Sequence, residues 1–573
     1  MKKLINDPNS VVEDMLEGAV LANQNLMLLE GENIVVRRDF QALAAANKVS
    51  IVSGGGAGHE PAHAGYVGHG MLTAAVAGPV FTSPSVDAVL SAIMAVAGPA
   101  GVLLIIKNYT GDRLNFGLAA EIARTAGVQV EMVVVGDDVA LDNDGGLVGR
   151  RGIAGTVFIH KVAGAAAEAG LSLSQVKSEV EKAAAGLFSM GLGLSACTVP
   201  AAGKPGFKIE DDEVEYGLGI HGESGVRRGP IQRADEMVKT LLDRIIDQGR
   251  LQGDERVVLM VNNLGATPAQ ELDIVARRAL LGCIEHGIKV EGVMVGTFLT
   301  ALEMAGCSIS LMRVNDPLML RLQAPTEATA WHGMTEPART ISRQPCRGPV
   351  AESASIGGTW SSDNARQFKT ILQSVTLALR QQEEVLTQLD SVVGDGDIGI
   401  SLARGARAIE DSLGTLDLER PAIALQQISA ILRRALGGTS GPLYAVFVLR
   451  AGVALSGAGN LNAVSSWANA FQAGCDGIVN LGNASLGDRT MLDALLPTAL
   501  ALHACADELE AVDVAKKADA AASKGAEETR NMMPLKGRSS YIGQRALGHV
   551  DPGAYAVTVW TKAIVSALES FGR

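Results

Sequence analysis

A histidine set among glycines is the first feature of the sequence that points to chemistry. His221 stands in the segment Gly-Leu-Gly-Ile-His-Gly-Glu at residues 217–223, where neighbours without side chains leave its ring approachable. Neutral imidazole is a competent nucleophile toward a carbonyl carbon. The segment therefore predicts either a covalent catalyst or an ordinary loop histidine, and it does not by itself decide between them.

A glycine-rich segment provides a second candidate site directly after the apolar run 49–52. Residues 53–61 read Ser-Gly-Gly-Gly-Ala-Gly-His-Glu-Pro, so Gly56, Ala57 and Gly58 offer almost bare backbone and His59 follows them. Backbone N–H groups of such a loop can approach a small polar ligand. The segment is neither a Walker A loop nor the GxGxxG dinucleotide motif. A turn kept for its backbone geometry alone is the alternative.

A lysine and an aspartate follow the next apolar run. Lys107 and Asp112 lie in the segment Lys-Asn-Tyr-Thr-Gly-Asp, ahead of a helical pattern at 115–126. In a parallel sheet both residues would lie at the carboxyl edge, close to the glycine-rich segment. Asp112 is either a helix N-cap or a general base, and both interpretations remain open at this point.

Three carboxylates occur within eight residues in the C-terminal third. Asp390, Asp395 and Asp397 are separated by glycines, and such a cluster repels itself unless cations neutralise it. Carboxylate oxygens suit Mg²⁺ ions that hold phosphates, whereas the glutamate that would complete an EF-hand loop is missing. A plain acidic turn between two helices is the alternative.

Several short segments beyond the carboxylates suggest phosphate contacts. Residues 437–442, Gly-Gly-Thr-Ser-Gly-Pro, predict a helix start whose free N–H groups can hold phosphate oxygens. The segments 487–493 and 537–541 are weaker signals that also fit ordinary helix starts. Residues 551–553, Asp-Pro-Gly, are typical of a turn.

The N-terminal half has the alternation of an α/β fold. Predicted strands alternate with helical stretches such as 115–126 and 268–286, and glycines mark the places where strands lead into helices. The predicted strands are 49–52, 102–106, 128–135, 257–261, 290–295 and 308–313. An uncharged stretch at 88–106 is not a membrane span, because Gly-Pro-Ala-Gly at 98–101 divides it into a helix and a short buried strand.

The C-terminal third is predicted to be a separate all-α domain, because apolar residues recur at helical spacing. The helical stretches are 368–389, 422–436, 443–454, 491–506 and 512–529. Between the halves, prolines and small polar residues indicate a linker. We predict an N-terminal domain at 1–330, a linker at 331–353 and a helical domain at 354–573.

Composition narrows the class of protein. The 573 residues are too many for one compact domain, and with 47% apolar and 19% charged residues the chain is typical of a globular protein. Its 49 basic and 62 acidic side chains give a net charge of −13, which argues against a nucleic-acid partner. The six cysteines form no CxxC pair, and the N-terminus lacks the apolar core of a signal peptide. We expect free thiols, a cytoplasmic location and no membrane partner.

The motifs of residues 1–330 together resemble the K domain of dihydroxyacetone kinases. The resemblance implies two α/β subdomains and a small ketose held covalently as a hemiaminal on His221. It places Gly56, Ala57, Gly58, His59 and Lys107 around the ketose and makes Asp112 the base for the attacking hydroxyl. In that family His59 also belongs to the catalytic set.

The motifs of residues 354–573 resemble the L domain of the same family, an eight-helix antiparallel barrel that binds ATP and Mg²⁺. The resemblance implies that Asp390, Asp395 and Asp397 hold two Mg²⁺ ions and that Arg538 lies near the phosphates. The residues implied to contact the nucleotide are Thr439, Ser440, Gly482, Thr490, Met491, Asp551, Pro552 and Gly553.

The resemblance thus implies an ATP-dependent kinase of dihydroxyacetone, with glyceraldehyde as a further acceptor. Because both domains occur in one chain, ATP is the expected phosphoryl donor. The alternatives are a kinase of a four-carbon keto sugar such as erythrulose, cleavage of FAD to cyclic FMN, and a non-catalytic ketose sensor. The family also implies a homodimer formed by K domains, in which the helical domain can serve the ketose site of the partner.

Overall fold

The computed structural model describes residues 2–140, 149–345, 357–506 and 510–571. The chain divides into two compact units, Met1–Gln344 and Pro345–Arg573. The boundaries 1–330, 331–353 and 354–573 stay predictions, and residues 346–353 of the predicted linker lie outside the described residues.

The first sheet of the N-terminal unit places the glycine-rich segment beside the strand that ends in Lys107. Its strands run in the order β1-β2-β4-β3-β5-β6, and β3 pairs in parallel with both β4 and β5. Strands β3 and β5 are buried throughout, and accordingly β5 is apolar up to Lys107 and β3 is built from small and apolar residues. The strands are β1 Leu26–Leu28, β2 Ile34–Arg37, β3 Ser50–Ala57, β4 Ala74–Val80, β5 Val102–Lys107 and β6 Val130–Val135.

A second sheet follows in the same unit, with the order β11-β10-β12-β7-β8-β9. Only β10 and β11 pair in parallel, and the other neighbours in this sheet are antiparallel. The strands are β7 Leu187–Gly193, β8 Glu213–Tyr216, β9 Arg227–Pro230, β10 Arg256–Asn263, β11 Lys289–Gly296 and β12 Gly306–Arg313. The alternation in the sequence predicted β10, β11 and β12 correctly, but it missed β7, β8 and β9 and did not reveal the antiparallel pairing.

Nine α-helices of the N-terminal unit cover these sheets among the described residues. They are α1 Val11–Leu21, α2 Phe40–Ala45, α3 Val86–Val96, α4 Thr110–Thr125, α5 Thr156–Glu168, α6 Leu173–Ala185, α7 Ala234–Gly249, α8 Ala269–Glu285 and α9 Asp316–Gln323. The end of α3 before Gly98 and the start of β5 after Gly101 confirm that 88–106 is a helix followed by a strand. Within the described parts of the chain, no helix has the length and apolar character needed to cross a bilayer.

The C-terminal unit is all-helical, as predicted. Its helices are α10 Ser362–Gln381, α11 Glu383–Val393, α12 Ile398–Ser412, α13 Pro421–Ala435, α14 Ser440–Ser456, α15 Val464–Gly482, α16 Leu492–Cys505, α17 Ala511–Glu528 and α18 Pro552–Phe571. Eight of them form a closed ring in which each packs against the next, from α10 through α12–α17 to α18 and back to α10. The short helix α11 packs against α12 and α18. The predicted stretch 368–389 is thus two helices that meet at Gln382.

Candidate active site

The His221 ring is held by a carboxylate two residues away. Nδ1 of His221 lies 2.7 Å from Oε1 of Glu223, and the backbone N–H of His221 donates to Oε2 at 3.0 Å. Burial disfavours the charged form of Glu223, but its hydrogen bonds to the His221 ring and to the backbone, together with the charge on that ring, outweigh burial and lower the pKa of Glu223 to about 2. An ionised Glu223 can only accept, so Nδ1 carries the hydrogen, and in the neutral ring Nε2 keeps a free lone pair.

The backbone of this loop explains why glycines flank the histidine. The loop follows β8 and begins with Gly217 at φ +71°, while Gly222 adopts φ +82° directly after His221. Both values lie in the left-handed region, which side chains disfavour. At Gly219, a Cβ atom would lie within 2.8 Å of Nη1 of Arg151 and would collide with the Glu223 carboxylate. The glycines therefore let the carboxylate fold back under the histidine.

His59 meets His221 from the other sheet. It follows β3, its ring lies edge-on to the His221 ring with centroids 4.8 Å apart, and its side chain is fully buried. Nδ1 of His59 donates to the carbonyl of Thr300 at 2.8 Å, which leaves Nε2 as an acceptor without a partner among the described residues. Burial, together with the nearby His221 and Lys107, lowers the pKa of His59 well below its usual value. His59 is therefore a neutral acceptor beside the proposed nucleophile.

Two further aromatic rings fix the position of His221. Phe81 stacks on His59 at 5.1 Å and meets the His221 ring edge-on at the same distance. Tyr109 meets His221 edge-on at 4.8 Å. Such contacts are favourable ring geometries and restrict rotation of the imidazole. His221 keeps partial contact with solvent, since its side chain is 21% exposed.

Lys107 and Asp112 lie together at the carboxyl edge of the first sheet, as predicted. Nζ of Lys107 is 3.8 Å from Oδ2 of Asp112, and Oδ1 of Asp112 accepts a hydrogen bond from Ser83. Burial lowers the pKa of Lys107, while the Asp112 carboxylate opposes that shift. The N-cap interpretation of Asp112 is wrong, because α4 begins at Thr110 and Tyr109 holds the cap position. Its carboxylate is thus free of a capping role and faces Lys107 and Ser83.

The glycines of β3 serve close packing as well as access. Gly55 faces Lys107, whose Nζ would lie 2.5 Å from a Cβ atom at that position. At Gly56, a Cβ atom would lie 2.6 Å from the backbone nitrogen of Thr82, and Gly58 adopts φ +95° beside the Phe81 ring. The segment Gly56, Ala57 and Gly58 thus lies at the carboxyl edge of the first sheet, as predicted. A larger side chain at Gly55 would displace Lys107, and one at Gly56 or Gly58 would displace the segment around Phe81.

The three aspartates of the C-terminal unit converge. Asp390 lies in the last turn of α11, Asp395 lies in the loop, Asp397 precedes α12, and a carboxylate oxygen from each lies within 4.8 Å of the others. Oδ2 of Asp390 accepts the backbone N–H of Asp397 at 2.9 Å and that of Ile398 at 3.2 Å. The arrangement provides the hard oxygen ligands that Mg²⁺ prefers.

Positive charge and helix N–H groups surround this cluster. The guanidinium of Arg538 contacts Asp395 and lies 3.7 Å from Oδ2 of Asp397. Gly438, at φ +64°, brings the start of α14 to the cluster, since a Cβ atom there would lie 3.7 Å from the same Asp397 oxygen. Thr439 is the N-cap residue of α14 and Ser440 is its first residue, which confirms the predicted helix start.

The remaining predicted nucleotide contacts lie around α14, α16 and α18. Gly482 ends α15 beside Leu443 in the first turn of α14, and Met491 belongs to the same apolar cluster as Leu443. Gly553 approaches Met491, since a Cβ atom on it would lie 3.4 Å from the Met491 Cβ atom. Thr490 donates its backbone N–H to Asp493 at 2.7 Å.

The segment 551–553 is a helix start, so its prediction as a turn is wrong. Oδ1 of Asp551 accepts the N–H of Ala554 at 2.8 Å, and Pro552 is the first residue of α18. Asp before Pro is a helix-start signal, because the side chain caps a free N–H group and proline has none to lose. Burial raises the pKa of Asp551 to about 6. The buried Arg489 opposes that shift through its charge and donates to the carbonyl groups of Ala546 and His549.

The sequence did not assign roles to several residues of this site. Glu223 belongs to the motif around His221. A carboxylate two residues from a candidate catalytic histidine could have indicated a partner for its ring. Ser83 and Phe81 carry no local signal of their own, because only the pairing of β3 with β4 and the chain after β4 bring them to His59 and Asp112.

Comparisons with known proteins match both units. The chain matches the Dak1 domain over residues 17–330 and the DAK2 domain over residues 392–566. It is 42% identical over 585 residues to a Homo sapiens protein named triokinase/FMN cyclase, covering 99% of this chain and 100% of that one. It is 38% identical over 573 residues to the dihydroxyacetone kinase of Citrobacter freundii, covering 98% of each.

A solved structure extends the match to the whole fold. The dihydroxyacetone kinase of C. freundii in complex with AMP-PNP and Mg²⁺ is 36% identical, with a TM-score of 0.66, and the match covers 99% of each chain. The order of the two matched domains, the identity and the coverage agree. The chain therefore belongs to the dihydroxyacetone kinase family, as an ATP-dependent kinase with its Dak1 and Dak2 domains in one polypeptide.

Proposed function

We propose that this chain transfers the terminal phosphoryl group of ATP to a hydroxyl of dihydroxyacetone while the ketone is held covalently on His221. The observation that carries the proposal is the 2.7 Å contact between Nδ1 of His221 and the Glu223 carboxylate, which leaves the lone pair on Nε2 free. Glyceraldehyde fits the same chemistry, because its aldehyde is also open to nucleophilic attack.

The covalent step follows from this geometry. Nε2 of His221 forms a bond to the carbonyl carbon, and the π electrons of the carbonyl move to its oxygen, which takes a proton. The ring acquires positive charge, and the ionised Glu223 carboxylate stabilises that charge through the hydrogen bond it accepts from Nδ1. The former carbonyl oxygen takes its proton from solvent, so the adduct carries one positive charge on the ring, which the negative charge of Glu223 balances. A polyol has no carbonyl and cannot form this bond, so glycerol is rejected by chemistry.

The neighbouring groups suit the orientation of a small polyhydroxy ketone. Nε2 of His59 is a buried acceptor without a partner among the described residues, and a substrate hydroxyl would satisfy it. Asp112 is the proposed base for the attacking hydroxyl, and Lys107 supplies a positive charge beside it. Positioning of this kind contributes most of the catalysis in phosphoryl transfer.

Residues of the C-terminal unit are proposed to hold the donor. Asp390, Asp395 and Asp397 would bind Mg²⁺, which would displace Arg538 from Asp395 and leave its guanidinium free to contact the phosphates. ATP would supply the phosphoryl group, and the Mg²⁺ bound with it would neutralise the charge that develops during transfer. The N–H groups of Thr439 and Ser440 at the start of α14 provide fixed donors for phosphate oxygens.

Steady-state kinetics on three- to five-carbon ketoses and polyols test the proposal. We expect phosphorylation of dihydroxyacetone and no phosphorylation of glycerol. Higher kcat/KM for erythrulose would reassign the substrate to a four-carbon keto sugar. Absence of turnover on every ketose, with ketose binding retained, would support a regulatory sensor instead.

Cyclic FMN formation is a second candidate activity, because the Homo sapiens relative is named triokinase/FMN cyclase. It would use the nucleotide-binding residues of the C-terminal unit without His221. Incubation of the His221→Ala variant with FAD and a divalent cation separates the two activities. Release of cyclic FMN by this variant would support the second activity, and intact FAD in both wild type and variant would exclude it.

A homodimer in a cytoplasmic location completes the proposal. Free thiols on the five cysteines that the structure describes support a reducing compartment, whereas Cys346 lies outside the described residues. Mixing His221→Ala with Asp395→Ala under conditions of verified subunit exchange tests transfer between chains. Recovered activity would support such transfer, and an inactive mixture would restrict each chain to its own ketose.

A further inference from the structure

Two histidines outside the proposed catalytic set form a buried chain of hydrogen bonds behind Lys107. Nζ of Lys107 lies 2.8 Å from Nε2 of His63, and Nδ1 of His63 lies 2.9 Å from Nε2 of His160. The three residues are at most 7% exposed. His63 lies four residues after His59, and His160 lies in α5, a helix whose residues 156–167 are all buried.

The chain has a fixed direction when Lys107 is charged. An ammonium group only donates hydrogen bonds, so Nε2 of His63 must accept. His63 then carries its hydrogen on Nδ1 and donates it to Nε2 of His160. Nδ1 of His160 carries the last hydrogen and has no partner among the described residues. Two neutral rings are therefore held in one tautomer each, with the acceptor end of the pair directed at Lys107.

The same atoms converge at the proposed ketose site. A Cβ atom on Gly55 would lie 2.5 Å from Nζ of Lys107, 3.5 Å from Oδ2 of Asp112 and 3.7 Å from Nε2 of His63. Besides His63, the Lys107 ammonium has the carbonyl of Gly54 at 3.4 Å and the Asp112 carboxylate at 3.8 Å. The contact to His63 is thus the shortest that Lys107 makes to these three groups.

The electrostatics favour fixed positioning over a relay that stores protons. Burial lowers the pKa of His63 well below its usual value and that of His160 to about 3, and the Lys107 charge adds to both shifts. His59 also faces His63 and adds to its shift. The charged or titratable groups near the pair are Lys107, His59 and Tyr66, whose ring lies 6.2 Å from that of His160, with Asp112 beyond Lys107. A proton on either ring of the pair would be costly, so both act as neutral hydrogen-bonding groups.

We propose that His63, oriented by His160, is a positioning residue that keeps Lys107 charged and directed toward Asp112 at the ketose site. The role rests on the proposed function, because it serves the hydroxyl that Asp112 is proposed to activate. Without an acceptor at His63, the buried ammonium loses its shortest hydrogen bond, and its neutral form becomes populated at lower pH.

The pH profile of kcat/KM for dihydroxyacetone tests this role in the full-length protein. In His63→Leu, we expect the alkaline limb to move to lower pH by about one to two units, since a hydrogen bond to a charged group is lost. His63→Gln retains an oxygen that accepts from Lys107, so its alkaline limb should stay near that of the wild type. KM for ATP should not change in either variant. His286→Gln, at the end of α8, is the matched control for loss of an imidazole.

A binding measurement separates failure of this inference from failure of the proposed function. Calorimetric titration with dihydroxyacetone without nucleotide should show the same alkaline shift in His63→Leu. A wild-type protein that neither binds nor phosphorylates the ketose would contradict the proposed function itself. Normal turnover of the wild type with identical alkaline limbs in wild type and His63→Leu would overturn the role of His63 alone.

A second variant covers the case in which His63→Leu does not fold. His160→Leu removes the group that fixes the His63 tautomer and leaves the contact to Lys107 in place. We expect a smaller shift of the alkaline limb in the same direction, with a melting temperature close to that of His63→Gln. An unshifted limb in a folded His160→Leu variant would contradict the orienting role of His160.

Discussion

Glu223 binds His221 twice, through the ring at 2.7 Å and through the backbone N–H at 3.0 Å. One carboxylate thus fixes both the tautomer of the imidazole and the loop that carries it. Its pKa of about 2 keeps it charged at neutral pH. The relationship assigns Nε2 as the reactive atom. It also gives a role to Glu223, which was not part of the catalytic set suggested by the sequence.

Replacement of Glu223 by Gln is expected to lower kcat/KM for dihydroxyacetone by about 10- to 100-fold. The amide oxygen can still accept from Nδ1, but the negative charge that stabilises the positive ring is lost. The drop should therefore be smaller than in His221→Ala. Steady-state kinetics on both variants measure it, and unchanged kcat/KM in Glu223→Gln would refute an electrostatic role for this carboxylate.

Replacement of His59 by Asn should lower the plateau of the pH profile without changing its shape between about pH 6 and 8. His59 has a pKa well below its usual value, so the wild-type ring is neutral across that range and does not titrate there. The kcat/KM for dihydroxyacetone as a function of pH is the measurement. An acidic limb near pH 6.5 that disappears in His59→Asn would show that the ring titrates normally.

The acidic cluster is expected to govern nucleotide binding alone. Asp395→Ala and Asp397→Ala should each lose ATP-dependent activity, because removal of one carboxylate weakens Mg²⁺ binding and leaves phosphate charge uncompensated. Dihydroxyacetone binding should survive in both. The exposed Asp476→Asn, on α15, is the control for loss of a carboxylate. Calorimetric titration with Mg-ATP measures the affinity of each variant. Wild-type affinity in both cluster variants would show that the three aspartates form an acidic turn without a role in nucleotide binding.

The ionisation of buried Asp551 is expected to lower the free energy of unfolding at neutral pH. Its pKa is about 6 in the folded protein, above the ordinary value of 3.8, so the folded chain binds more protons than the unfolded chain between these values. The free energy of unfolding therefore falls as pH rises through this window. Asp551→Asn cannot ionise and keeps an oxygen that can accept from Ala554. The variant should be more stable than the wild type at pH 7 by about 1–3 kcal/mol, and equally stable near pH 4.

Urea unfolding at both pH values measures the effect of Asp551→Asn, with the exposed Asp411→Asn on α12 as control. The same variant should bind Mg-ATP more weakly, because a carboxylate beside the nucleotide contacts is lost. Equal stability of wild type and Asp551→Asn at pH 7 would contradict the raised pKa.

Local patterns predicted the fold class and six of the twelve strands that the structure describes, namely β3, β5, β6, β10, β11 and β12. The fully buried strand β5 has no polar face, so its continuous apolar run at 102–106 was readable, and the glycines at 98 and 101 marked the end of a helix and the start of a strand. The antiparallel pairing of the second sheet was not readable, because strand pairing depends on which distant segments meet.

The candidate site was predictable where its residues belong to continuous motifs. His221, Lys107 and the three aspartates all lie in such segments. The contact of His63 with His160 joins residues 97 positions apart, so it depends on how α5 packs against β3. Asp112 was considered a possible N-cap because the predicted helical stretch began at residue 115. The helix α4 in fact begins five residues earlier, at Thr110.

The covalent attachment to His221 is tested most directly by ¹³C NMR of dihydroxyacetone labelled at C2. With wild-type protein in excess, the proposed hemiaminal predicts that the carbonyl resonance of the bound ketose is replaced by that of a carbon with four single bonds. The new signal should be absent in His221→Ala. A bound ketose that keeps its carbonyl resonance in the wild type, or an identical new signal in His221→Ala, would contradict the covalent role of His221.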